Sequence, residues 1–269
     1  MQTCMSHVNP DVMSTSLLRS WLTSNMHSKQ KIQLANDSVV RYPNCMTIIA
    51  VANSKGGVGK STTAVHLAAW LYEQGHSVTL ADCDTQQSSS EWIKEAMPGI
   101  KAVRLDNPDH ILNELPLLDQ EVDYVVADGP GSQTETSRAL LLRAHLAIVP
   151  CKASMLEVRA LAKATEALRQ AQDIRGGIPK AVIILSMVGK NYRLTKDMKD
   201  AAAALNLPLA SVPLILRQIY ADAPGQGAVV WNMGSRAREA SEEVQRIFSE
   251  ILPDAVKRKG KIKREVRAS

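Results

Sequence analysis

Aromatic side chains are scarce: the 269-residue chain has a single Phe, and Phe, Trp and Tyr together make up 4% of it, against 45% hydrophobic residues. Aliphatic side chains must therefore fill the core, and the length suits one α/β domain better than two. Long apolar runs are also missing. The longest, residues 181–185 and 140–150, are short or are broken by Arg143 and His145, whereas a membrane-crossing helix needs ~20 apolar residues. A cytoplasmic protein with no membrane partner is the expectation. The chain opens without a basic region, apolar stretch and small-residue cleavage site in succession, so export is not expected. Cys4, Cys45, Cys83 and Cys151 stand far apart with no CxxC spacing, which argues against a disulfide framework or structural zinc and for reduced thiols.

Charge is present but unevenly placed. The formal net charge is +5, yet Lys257, Arg258, Lys259, Lys261, Lys263, Arg264 and Arg267 face only Glu265 at the end of the chain, so the preceding residues are close to neutral. Such a tail suits a phosphate backbone, or is simply a solvated end.

Residues 1–45 are rich in Ser, Asn, Met and Gln, show no sustained period, and read as an irregular extension. At Met46, itself a candidate start, the text changes to Thr47-Ile48-Ile49-Ala50-Val51-Ala52, the composition of a buried parallel strand. Further strands are predicted near 78–82, 123–127, 145–150 and 181–186, and helices near 60–74, 108–119, 134–143, 155–172 and 194–204. This alternation predicts an α/β fold, a doubly wound, mostly parallel sheet with helices on both faces, over residues 46–253. A last helix is expected over about 235–252, with Ala240, Val244, Ile247, Phe248 and Ile251 on one face. Pro253 ends it, and 254–269 form the basic tail.

The segment after the first strand, Asn53-Ser54-Lys55-Gly56-Gly57-Val58-Gly59-Lys60-Ser61-Thr62, opens a predicted helix. Strand, glycine-rich loop and helix N-terminus together make a phosphate cradle, because backbone N–H groups converge where no Cβ intrudes and the helix dipole favours an anion. Lys60 would reach the β- and γ-phosphates, Ser61 would offer a hydroxyl to Mg²⁺, and Thr62 a hydroxyl to phosphate. The ordinary spacing GxxxxGK[ST] places Gly where this chain has Ser54.

Two acidic strand ends follow. Val78-Thr79-Leu80-Ala81-Asp82-Cys83-Asp84-Thr85-Gln86 closes a strand on two carboxylates one residue apart, and Asp84 is the candidate to orient an attacking water. Asp123-Tyr124-Val125-Val126-Ala127-Asp128-Gly129-Pro130-Gly131 ends an apolar strand on Asp128, a candidate to hold Mg²⁺ through water, ahead of a turn able to sense the γ-phosphate.

Lys55 through Thr62 resemble the deviant Walker A motif, K-G-G-x-G-K-[ST], of the ParA/MinD family, a phosphate-loop NTPase family. The resemblance spans about Met46 to Leu252, and its motifs are these three segments. It implies ATP and Mg²⁺ as cofactors, slow ATP hydrolysis, and a homodimer with nucleotide sandwiched between subunits, Lys55 acting across the interface. Gly56, Gly57, Val58 and Gly59 would cradle phosphate and Lys60 would assist transfer. Asp82-x-Asp84-x-Gln86 resembles the element whose second aspartate positions water and whose first supports the metal's water shell. Pro213 falls in the region that contacts adenine in relatives.

Branches of the family differ in what they act on. An iron–sulfur branch needs paired cysteines, and only Cys151 sits near a comparable place. Tyrosine-kinase relatives carry a tyrosine-rich tail; this tail has none. The membrane-binding, MinD-like branch ends in a helix with a bulky apolar face, which Val256 to Val266 lacks. Basic residues without such a face suit nonspecific DNA, with Lys190, Arg193, Lys196, Lys199, Arg217, Arg236, Arg238 and the tail as candidate contacts. The resemblance then implies plasmid or chromosome partition on the nucleoid, stimulated by a ParB-like partner. The alternatives are positioning of a protein cargo through an adaptor, or membrane-based division-site selection.

Overall fold

A computed structural model describes residues 47–132, 134–152, 161, 165–189, 200, 202–203 and 205–256. Among them six strands form one sheet: β1 (Thr47–Val51), β2 (Val78–Asp82), β3 (Lys101–Arg104), β4 (Tyr124–Asp128), β5 (Leu146–Lys152) and β6 (Lys180–Ser186). The order is β3-β2-β4-β1-β5-β6, and every pairing is parallel. The helices are α1 (Lys60–Glu73), α2 (Ser88–Ala96), α3 (Pro108–Leu118), α4 (Glu135–Arg143), α5 (Glu166–Ile174), α6 (Gln218–Gly225) and α7 (Arg238–Ile251).

A parallel sheet needs cover on both faces, and β1 shows how its sequence supplies that. Ile49 and Val51 enter one apolar cluster with α1, α2 and α7, while Ile48 and Ala50 enter the other with α3 and α4. The period of two along a strand thus feeds two cores at once. Residues Thr63 to Leu71 of α1 are all buried, so this helix is enclosed by sheet, α7 and the 228–233 segment. By contrast α7 buries one stripe, Ala240, Val244, Ile247, Phe248 and Ile251. The only Phe lies against Trp70 with ring centroids 5.8 Å apart. Local capping marks two helix starts: the Asn107 side chain accepts from Asp109 N before α3, and that of Thr134 from Ser137 N before α4.

Three elements, α2, β3 and α6, are absent from the sequence reading. α2 begins on three serines, and β3 is a four-residue edge strand, Lys-Ala-Val-Arg, with no buried position; neither carries the apolar period that marks the others. The last helix is expected from 235, but residues 235–237 form a 3-10 turn and α-helix starts at Arg238. Most of the helix expected over 194–204, the first part of that over 155–172, the 1–45 extension and residues 257–269 of the tail lie outside the described residues.

Because all strands run the same way, their carboxyl ends share one edge. Val51 is in register with Asp128, and Asp128 with Asp82. Three segments singled out in the sequence therefore meet there, at the end of the sheet where ligands bind in open α/β folds.

Candidate nucleotide-binding site

The loop between β1 and α1 is pinned at its base and its far side by residues distant in sequence. Asn53, buried, donates from Nδ2 to Pro150 O at 2.7 Å, while its Oδ1 accepts from Lys55 N at 3.0 Å. Ser186, at the end of β6, donates from Oγ to Val58 O at 2.7 Å. A loop whose amides point inward must turn carbonyls outward, and this bond satisfies one of them in the protein interior. Gly57 and Gly59 have φ of +67° and +90°, left-handed values that L side chains rarely adopt. Gly56 and Gly57 form an exposed crown.

Lys60 is buried, and its Nζ donates to Lys55 O at 2.9 Å, so the side chain folds back under the loop. Burial lowers its pKa, opposed by Asp128 and Asp84 nearby. The turn after β4 closes on the same place. A Cβ on Gly131 would stand 3.4 Å from Gly56 Cα and 3.6 Å from Lys60 Nζ, so the turn lies at contact distance from the phosphate loop and from the Lys60 ammonium.

The carboxylates differ in state. Asp82, 1% exposed, accepts from Ser90 N at 2.8 Å and from Asp84 N at 3.2 Å, and so holds the β2–α2 turn. Asp84 is partly exposed and accepts from Gln86 N at 3.0 Å; Gln86 itself is exposed. Asp128 is also 1% exposed, and among the described residues neither of its buried carboxylate oxygens makes a full hydrogen bond, the Ser61 and Ser89 hydroxyls only approaching it. Burial pushes its pKa to about 7, the neighbouring Asp82 charge adding to the rise, while the approaching Ser61 and Ser89 hydroxyls and Lys60 act in the opposite direction. A buried carboxylate without a full hydrogen bond is costly unless something pairs with it. A divalent cation brought in with phosphate oxygens would meet that need, and Asp128 and the Ser61 hydroxyl are the residues that could hold it. No group of three or more His, Cys, Asp or Glu side chains that could hold a metal ion occurs among the described residues.

Cys83, between the two aspartates, is buried; burial and the surrounding carboxylates push its thiol well up, away from reactivity. Thr62 O accepts from His66 Nδ1 at 2.7 Å, and His66 Nε2 accepts from Val230 N at 3.1 Å, which fixes the tautomer. The first turn of α1 is thereby tied to the 228–233 segment.

Of the other sequence candidates, Lys55 lies partly buried in the loop and Thr62 partly buried in the first turn of α1, and Pro213 is half-buried on a segment that bonds to β6 through Leu214 N and Leu185 O and, just past it, through Leu216 N and Val188 O. Arg217 pairs with Glu239 at 2.7 Å and Glu243 at 2.6 Å, so two carboxylates neutralise its charge. Arg236 and Arg238 are exposed, Arg238 lying 3.9 Å from Glu242. Lys190, Arg193, Lys196 and Lys199 lie outside the described residues. Asn53 and Ser186 were missed by sequence reasoning: an Asn before a glycine-rich loop and a Ser ending a late strand carry no signal until the fold joins them.

A parallel sheet with a glycine loop on the first strand, a lysine opening the next helix and aspartates ending two adjacent strands defines a phosphate-loop nucleotide-binding domain. Comparison with known proteins narrows the class. Residues 49–230 match the family described as "CobQ/CobB/MinD/ParA nucleotide binding domain", and the chain belongs to that family of ParA/MinD-type ATPases. It is 29% identical over 210 residues to maintenance of carboxysome distribution protein A of Halothiobacillus neapolitanus, covering 76% of this chain and 96% of that one. It is 28% identical over 179 residues to the chromosome-partitioning ATPase Soj of Thermus thermophilus, covering 54% and 69%. Among solved structures, an ATP complex of a Cyanothece McdA variant matches with TM-score 0.63 at 17% identity, covering 81% of this chain and all of that one. MinD of Aquifex aeolicus matches with TM-score 0.61 at 15% identity, covering 79% and 100%.

Proposed function

We propose that this protein is an ATP-hydrolysing switch that distributes a cargo over nonspecific DNA. The observation that carries the ATP-site part of the reading is Asp128, buried and without a full hydrogen bond among the described residues, beside Lys60 at the mouth of the glycine loop. Lys60 and the loop amides would hold the β- and γ-phosphates, and Ser61 and Asp128 the Mg²⁺. Bound Mg²⁺ would neutralise charge on the phosphate oxygens. Asp84, partly exposed at a rigid strand end, would orient the attacking water. Asp82 holds the turn that carries Asp84 and lies in register with Asp128, from where its charge would support the water shell of a bound metal. Lys55 would complete the site across an ATP-closed homodimer.

A protein assembly is the favoured cargo, because the similarity to the carboxysome-distribution protein runs over 96% of that relative's length. Partition of plasmid or chromosome DNA is the second reading, supported by the similarity to Soj and to a ParA of Rhizobium radiobacter, 25% identical over 179 residues. Both use one cycle: ATP closes the dimer, the dimer binds DNA, and an adaptor or ParB-like partner stimulates hydrolysis and release. Arg236 and Arg238, exposed at the start of α7, are the described candidates for phosphate-backbone contact. No helix among the described residues is long and apolar enough to cross a membrane.

The test is ATP turnover and ATP-dependent retention on duplex DNA at fixed salt, for wild type and Asp84→Ala. Slow turnover lost in the variant, with retention that requires ATP, supports the reading. Wild-type protein that never binds DNA at low salt, with or without ATP, overturns the DNA surface.

A further inference from the structure

Strand β5 ends on Lys152, a residue that no sequence motif marks. A Cβ built on Gly57 would lie 4.0 Å from Lys152 Nζ, so the ammonium rests against the crown of the phosphate loop. Lys152 is half-buried, and no carboxylate or carbonyl among the described residues pairs with its ammonium. Its backbone is fixed: Lys152 is in register with Ser186, the residue whose hydroxyl holds Val58 O. The strand pair that pins the loop therefore also delivers this charge to it. Lys60 occupies a different place, folded back to Lys55 O and facing Gly131.

An unpaired ammonium, partly withdrawn from water beside a loop already built to attract an anion, is repelled by the other lysines until an anion arrives. A small anion seated on the loop amides is already served by Lys60. A further cation at the crown adds most for a longer, more highly charged polyphosphate, and ATP carries about one negative charge more than ADP.

We propose that Lys152 is a phosphate-binding residue of this site that grips the polyphosphate chain and makes the site prefer ATP over ADP. This rests on the nucleotide-site reading above. It adds to that reading a residue from the far half of the domain and a basis for telling loaded from spent nucleotide.

The experiment is calorimetric titration of the full chain with Mg²⁺-ATP and Mg²⁺-ADP, for wild type, Lys152→Met and Lys152→Arg, with melting temperatures of each variant without nucleotide. Lys152→Met is expected to melt within a degree or two of wild type, to bind ATP roughly tenfold more weakly, and to lose clearly less affinity for ADP. Lys152→Arg should recover most of the ATP affinity. Wild type that binds nucleotide, with a Met variant that binds ATP equally well or loses ATP and ADP in the same proportion, overturns the role of Lys152 and leaves the site standing. Wild type that binds neither nucleotide overturns both.

Discussion

Replacing Asp128 by Asn should make the nucleotide-free protein more stable while removing its response to Mg²⁺-ATP. Asp128 is 1% exposed, neither oxygen makes a full hydrogen bond among the described residues, and its pKa is raised to about 7. In the unfolded chain an aspartate ionises at about 3.9. Between those values the folded state binds the proton more tightly than the unfolded state, so the wild-type protein loses stability as pH rises from about 4 to 7, and the loss is complete above 7. Three units at about 1.4 kcal/mol each set a ceiling of ~4 kcal/mol on that penalty. A buried Asn still gives up water for its amide, which costs ~1–3 kcal/mol, so the net gain from Asp128→Asn is about 1–3 kcal/mol, or roughly 2–12 °C at ~2–4 °C per kcal/mol for a domain of this size.

Thermal melting at pH 8 and pH 5 reads this directly. Without nucleotide the variant should melt above wild type at pH 8, and the gap should narrow towards pH 5, where wild-type Asp128 holds its proton. With Mg²⁺-ATP the order should reverse, since only wild type gains by ligand linkage. A variant that melts at or below wild type at pH 8 without nucleotide would refute the claim that an uncompensated carboxylate is stored at this strand end.

His66 should give the opposite pH trend. It is fully buried with its pKa lowered to about 4 by burial, against ~6.5 unfolded, so stability is intact above pH 6.5 and falls by ~3 kcal/mol as pH drops to 4; denaturant titrations in the Asp128→Asn background isolate it, and no loss between pH 7 and 5 there would count against it. Ser186→Ala strands the buried Val58 carbonyl and should weaken ATP binding by ~1–3 kcal/mol, with Ser186→Thr restoring it in the same titration. Phe248→Ala, at the contact of α7 with Trp70, should destabilise by ~3–5 kcal/mol in urea, leaving ATP affinity unchanged under native conditions.

The fold was legible wherever one physical pattern was uninterrupted. β1, β2, β4, β5 and β6 are short aliphatic runs because a parallel sheet buries both faces, and α7 displays its stripe because solvent bathes its other face. β3 was not legible, since an edge strand with no buried residue need not be apolar. Nor was α2, whose opening serines carry no apolar period although Ser89 and Ser90 are buried and Ser90 N serves Asp82.

The site divides in the same way. That Lys55 to Thr62, Asp82, Asp84 and Asp128 converge was legible, because phosphate chemistry would require those residue types at the ends of neighbouring strands, and the register of β2, β4 and β1 brings their segments together. Asn53, Ser186 and Lys152 were not, because their partners lie far away in sequence: Asn53 meets Pro150 across 97 positions, and Ser186 meets Val58 across 128. What brings them together is the strand order. β1 sits between β4 and β5, with β6 one strand further out, so the loop on β1 is bordered on one side by the carboxylates of β4 and β2 and on the other by the ends of β5 and β6. On the proposed reading, the motif-bearing side supplies the groups that would act on phosphate and metal. The other side holds the loop in shape with two buried hydrogen bonds and brings Lys152 to its crown, so a change on that side should alter how tightly nucleotide is held before it alters how fast bound nucleotide is cleaved. Ser186→Ala with turnover at saturating ATP cut as deeply as affinity would contradict this division.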